Sequence, residues 1–177
     1  MVIFRLVFGL LLLAALLCFA LYIGTQQRVW LQRGLVVVKW TVHGERVIYD
    51  SEWVRLALTD VEIPGGPRFE HHVVRMPAHA AGTVVHDPHR GVLLLWRHRF
   101  VTDTWGWEVP AGRVDDGETP AEAASREAYE ETGWRPGPVR HLTTYHPHNG
   151  LNDCAFHCFV ADGAVHVGDP TDASESE

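Results

Sequence analysis

The stretch Gly112–Trp134, GRVDDGETPAEAASREAYEETGW, constrains this chain more than any other. Thr119, Pro120 and Glu122 together spell a helix start. The threonine caps the first amides, the proline needs no donor at the first helical position, and the glutamate answers the cap. Gly133 spells the stop, because the left-handed residue that closes a helix is least strained as glycine. The spacing therefore predicts a helix over Pro120–Thr132. Ala121, Ala124 and Ala128 then share one side, small enough for close packing on a sheet. Glu127 and Glu131 stand one turn apart on the other side, with Glu130 beside them and Arg126 on the same face. A solvated acidic face is the plain alternative. Against it stands the glycine-bounded loop before the helix, which adds another acid, Glu118. Clustered carboxylates with a backbone carbonyl suit a hard divalent cation such as Mg2+. Such an ion can neutralise a diphosphate and activate a water.

The remainder of the chain is read around that helix. A net charge of −7 gives no long-range attraction to phosphates, which argues against a nucleic-acid partner. With 46% apolar residues the chain can bury a core, which excludes a disordered protein. Three cysteines make no disulfide framework and point to a reducing compartment. From Val2 to Ile23 the only charged residue is Arg5, and about 20 apolar helical residues cross a hydrocarbon layer. Residues 1–24 are thus expected to be a retained membrane segment, with a cleaved signal peptide or an upstream start as alternatives. Arg28, Arg33 and Lys39 after it place the body on the cytoplasmic side, anchored to that membrane. Residues 25–40 read as a polar connector and first strand, 41–80 as a small β-subdomain and 81–177 as the main domain. Strands are expected at Leu35–Val42, Glu45–Asp50, Trp53–Leu58, Val73–Met76, Gly82–His86 and Gly91–Trp96, with a turn at Ile63–Pro67.

Gly112, Glu118, Arg126, Glu127, Ala128, Glu130, Glu131, Gly133 and Trp134 fall on every fixed position of G-x5-E-x7-R-E-U-x-E-E-x-G-U. The stretch thereby resembles the Nudix box. The resemblance implies a mixed-sheet α/β/α sandwich that hydrolyses nucleoside diphosphates linked to another moiety, using Mg2+ or Mn2+. Glu127 and Glu131 would be the principal metal ligands, with Glu130 able to join them. Arg126 would orient the glutamates, and Glu118 would support the loop or a second metal. Just upstream, Trp107–Gly112 reads WEVPAG, similar to the W-E-L-P-A-G of the ADP-ribose pyrophosphatase group, in which the Ala111 carbonyl would reach the metal. Val92–Phe100 resembles that group's arginine-bearing strand, which makes Arg99 and Arg97 a diphosphate clamp. Asp60–Val74 resembles the hairpin of its N-terminal β-domain. That group stacks its base on aromatics at a homodimer interface, so Trp40 and Trp53 are the stacking candidates. For any one tryptophan core packing is the competing role.

Two departures stand out. The group has a loop S-P-G-x-x-[DS]-E before a strand ending H-x-F-x-A. Here the strand is His157–Ala161, and the glutamate position falls on Cys154, which leaves Asp153 or a loop histidine as the base. The family fold also needs a further strand and a C-terminal helix where this chain stops, so a truncated domain is expected. His146, His148, Cys154, His157 and Cys158 fit no zinc spacing. The alternation of Cys154, Phe156, Cys158 and Val160 reads instead as one strand face. The expected reaction is Mg2+-dependent hydrolysis of a nucleoside diphosphate sugar, ADP-ribose giving AMP and ribose 5-phosphate. GDP-mannose, a dinucleoside polyphosphate, or binding without cleavage are the alternatives.

Overall fold

A glycine sets the first packing contact along the chain. Helix α1 (Val2–Thr25) turns at Gln26, whose φ of 54° is left-handed, into helix α2 (Arg28–Val38). Gly34 lets the helices close, since a Cβ there would come within 3.0 Å of the Phe19 ring. The computed structural model describes residues 2–38 and 40–171, except the side chains of residues 2–5, 7–8 and 35–38. Residues 28–38 are thus helical, not a connector and strand. The β-branched run from Leu35 is overridden because helix packing, not propensity, decides the state of a short apolar segment. The expected membrane segment is helical as well. Among the described residues, however, no helix is long and apolar enough to cross a membrane.

The chain divides into two units, the first made of residues 1–51 and 55–74. Beside its two helices this unit holds an antiparallel sheet of β1 (Thr41–Asp50), β2 (Arg55–Glu62) and β3 (Arg68–Arg75) in that order. Pairing runs from Thr41 with Glu62 to Asp50 with Arg55. In β2 every second residue is buried, Ala57, Thr59 and Val61, as expected of a strand with one covered face. Gly65, with φ 70°, makes the turn predicted between β2 and β3.

The second unit is residues 52–54 and 75–177, and its centre is strand β4 (Ala80–Asp87). β4 pairs parallel with β11 (Phe156–Asp162), which pairs antiparallel with β10 (Arg140–Tyr145). The other edge of β4 carries β5 (Gly91–Val92) and β8 (Ala111–Arg113), both antiparallel. Two ribbons complete it, β6 (Leu95–Arg99) with β7 (Thr104–Glu108) and β9 (Trp134–Pro136) with β12 (Ala164–His166). The single strand expected over Gly91–Trp96 is broken. After Leu93, whose N–H reaches the Val85 carbonyl at 3.0 Å, the chain leaves β4 and pairs with β7 instead.

Helix α3 (Pro120–Thr132) has the predicted bounds and lies on this mixed sheet. Ala81, Ala123, Ala124 and Phe159 form the buried contact, and Val114, Ala121 and Val139 pack around it. The Thr83 hydroxyl donates to the Ala124 carbonyl at 2.8 Å, fixing the helix on its strand. Both arms of the cap are present, the Thr119 side chain accepting from the Glu122 N–H and the Glu122 carboxylate from the Thr119 N–H. Gly133 stops the helix with φ 72°, and a Cβ there would run into the Gly168 carbonyl. Beyond it, Val167 N–H donates to Gly133 at 2.9 Å and Thr171 N–H to Glu130 at 2.9 Å. Among the described residues of this unit, α3 is the one helix.

Candidate active site

Arg126 gathers the acidic side chains of α3 and its preceding loop. Its Nε and Nη2 donate to the two Glu118 oxygens at 2.9 and 3.0 Å. Its Nη1 donates to Glu127 and to Glu130, each at 2.8 Å, and Nη2 also reaches the Arg113 carbonyl at 2.9 Å. A planar fork with five donors can hold all four partners, which a lysine cannot. The carboxylates in turn raise the Arg126 pKa well above its ordinary value, Glu118 most of all. The same bond holds the Glu118 carboxyl below the usual range. Glu127 goes the other way. Burial pushes its carboxyl up against the pull of Arg126, and the charges of Glu131 and Glu130 add to the rise.

The Glu127 carboxylate lies against Gly112, where a Cβ would overlap it. The β8 strand itself approaches β4 closely, since a Cβ on Gly82 would stand 2.7 Å from that of Ala111. Glycine at both places lets α3, β8 and β4 meet. Glu131 is buried and turned inward. Its Oε1 accepts from Arg97 Nη2 at 2.7 Å and its Oε2 from the Ala111 N–H at 2.8 Å.

Several expectations from the sequence change here. Arg97 does not stand open to a diphosphate: it is 4% exposed and paired with Glu131. Arg99 points to solvent but makes three bonds to the Glu108 carboxylate, the shortest 2.6 Å. Asp153 accepts from the Met76 N–H at 2.9 Å and from Arg75 at 3.3 Å, so it ties its loop to residues 75–76 rather than facing the glutamates. Trp40 packs edge-on against Phe69 within the first unit. Trp53 is exposed, with the Arg113 guanidinium 5.9 Å from its ring. Glu127 and Glu130 meet at Arg126 Nη1, whereas Glu131 turns to Arg97. Among the described residues, no group of three His, Cys, Asp or Glu side chains could hold a metal ion. The cause is visible: Arg126 draws Glu127 and Glu130 to itself while Arg97 takes Glu131. The donor chemistry of Glu127, Glu130 and Glu131 still suits Mg2+ or Mn2+, which take hard anionic oxygens. The sequence reading missed the role of Arg97. Its signal is the strand alternation that sends Trp96 and His98 to one side of β6 and Arg97 to the other.

This combination of a capped acidic helix, an arginine hub and a mixed α/β sheet defines a Nudix hydrolase. The NUDIX domain family matches residues 76–177, and the chain belongs to it. Its relatives include the CMP-5'-(N-acetyl-N-hydroxy-3-aminopropyl)phosphonate hydrolase of Streptomyces rubellomurinus. That protein is 51% identical over 140 residues, covering 79% of this chain and 68% of the relative. The ADP-ribose pyrophosphatase of Bacillus subtilis is 27% identical over 130 residues, covering 73% of this chain and 70% of that one. Among solved structures an ADP compounds hydrolase superposes with a TM-score of 0.68 at 20% identity, covering 78% of this chain and 75% of that one. This likeness shows the mixed-sheet fold.

Proposed function

We propose that this pyrophosphohydrolase cleaves, with Mg2+ or Mn2+, the bond between a nucleoside monophosphate and a second phosphorus-bearing group. The observation that carries this is the gathering of Glu118, Glu127 and Glu130 on Arg126 beside the Ala111–Gly112 backbone. Water adds its hydroxyl to one phosphorus and its proton to the leaving oxygen, which gives two acids. Glu127 and Glu131 would hold the metal together with the Ala111 carbonyl, with Glu130 able to join them. The bound metal would supply charge neutralisation and a more acidic water. Arg126 aims Glu127 and Glu130, and Glu118 fixes Arg126 from the loop. Glycine at 112 leaves the Glu127 carboxylate its place against the backbone.

Two substrates follow from the relatives. The 51% identity to the phosphonate hydrolase favours a CMP-linked phosphonate, giving CMP and the free phosphonate. ADP-ribose, giving AMP and ribose 5-phosphate, rests on the WEVPAG segment and the 27% relative. The test is product release from a CMP–phosphonate, ADP-ribose, GDP-mannose and a diadenosine polyphosphate, with and without Mg2+. Metal-dependent release from the CMP compound at least tenfold faster than from ADP-ribose is expected. The reverse order makes ADP-ribose the substrate, and tight binding with no cleavage of any compound replaces hydrolysis by binding. The resemblance also supports a homodimer, which sedimentation reads directly. The exposed Leu10, Leu13, Leu16 and Leu17 of α1 support association with a lipid surface, and vesicle flotation with and without residues 2–23 decides it.

A further inference from the structure

Arg97 and Glu131 form the most deeply buried ion pair among the described residues, their side chains 5% and 1% exposed. Glu131 spans two strands. One oxygen takes the Arg97 guanidinium of β6 at 2.7 Å, and the other takes the Ala111 N–H of β8 at 2.8 Å. One turn earlier on α3, the Glu127 carboxylate lies against Gly112, the next residue of β8. Successive turns of the helix thus face successive residues of one strand. Of these two contacts, the one at Glu131 is held from behind by a cation that solvent barely reaches.

We propose that Arg97 is a positioning residue: by pinning Glu131 it sets the register of α3 against Ala111–Gly112, and so the place of Glu127 toward a divalent ion. This rests on the hydrolytic reading above for the identity of the ion. A diphosphate clamp must meet its anion in solvent or in an open cleft, and Arg97 has neither the exposure nor a spare charge. A buried ion pair adds little stability over an apolar pair of the same size, so what this pair contributes is direction: it joins α3 to β6 while the other Glu131 oxygen joins it to β8. Arginine suits the task because its rigid fork fixes direction, and lysine offers only a point charge.

Arg97→Lys keeps the charge and removes the fork. Mn2+ binding, followed by electron paramagnetic resonance, is expected to weaken about tenfold, as for other partners of metal-holding groups. The Mg2+ needed for half-maximal turnover rises in parallel, the substrate KM stays within about twofold, and the Ala111 amide resonance shifts. A tenfold rise in KM with Mn2+ binding unchanged overturns the proposal and makes Arg97 a substrate contact. Unchanged values throughout overturn it as well. Arg97→Gln, which leaves Glu131 a neutral donor, gives the same readings should the lysine variant not fold. Wild-type protein that binds Mn2+ in this Arg97-dependent way yet cleaves nothing supports the role of Arg97 and overturns the hydrolytic reading.

Discussion

Helix α3 and the β6–β7 ribbon meet at Glu131 and Arg97, yet they are built by different rules. On α3 the partners are close in sequence: Arg126 holds Glu127 next to it, Glu130 one turn on and Glu118 in the loop just before. On the ribbon the decisive contact joins residues 34 positions apart. Helical spacing can be counted along the chain, so the acidic face was visible before any fold was known. Which arginine of β6 turns inward depends on what the strand is packed against. Arg97 and Arg99 are two residues apart and share a face, yet one is buried on Glu131 and the other exposed on Glu108.

Substitutions can break this contrast or sharpen it. Glu127→Gln removes a charge that α3 supplies by spacing alone. Turnover at saturating Mg2+ is expected to fall about a hundredfold with the fold intact. Turnover within twofold of wild type would sink the assignment of Glu127 to the metal. Gly112→Ala attacks the same carboxylate from the strand. The added methyl overlaps it, so activity falls about tenfold and denaturation shows a loss of about 1–3 kcal/mol, as for an overfilled core. Asp153→Asn tests the loop that the family resemblance made catalytic. With its carboxylate spent on Met76 and Arg75, the variant is expected to lose at most about 1 kcal/mol and keep turnover within twofold. A hundredfold loss with unchanged Tm would return Asp153 to the role of base. The smallest effect lies at Glu118, whose carboxyl is held below the ordinary glutamate value of 4.5 by the bond from Arg126. The stability from this pair is present above pH 4.5 and is lost as pH falls through the folded value. Glu118→Gln therefore lowers Tm near neutrality and flattens the acid limb of a Tm–pH profile.

What the sequence carried and what it withheld divides along the same line. The bounds of α3, its threonine cap, its glycine stop and the placing of Arg126 on the acidic face follow from local spacing. The orienting role of Arg126 and the support from Glu118 came with the family resemblance, and the structure has each of these bonds. Strands β1, β2, β4 and β11 overlap the segments rich in β-branched or aromatic residues. Local spacing misled at Leu35, where a run of branched residues is helical and follows Gly34, which lies close to Phe19. It misled again at Leu93, where a continuous apolar run changes partners midway. Asp153 was read from its place in a motif, but its partners lie 77 residues away and no spacing rule could name them.

The tail beyond Gly133 has a consequence in time. A growing chain leaves the ribosome amino end first, so α3 emerges complete while the residues that seal its last turn are still unmade. The Glu130 carbonyl waits for the Thr171 amide, and the Gly133 carbonyl for Val167. A nascent chain released at residue 160 would carry every acidic side chain of α3, yet lack both of these amides and strand β12. The Arg126 hub needs only residues 113–130, so a partly made chain can hold its acidic face on a helix whose last turn is still open.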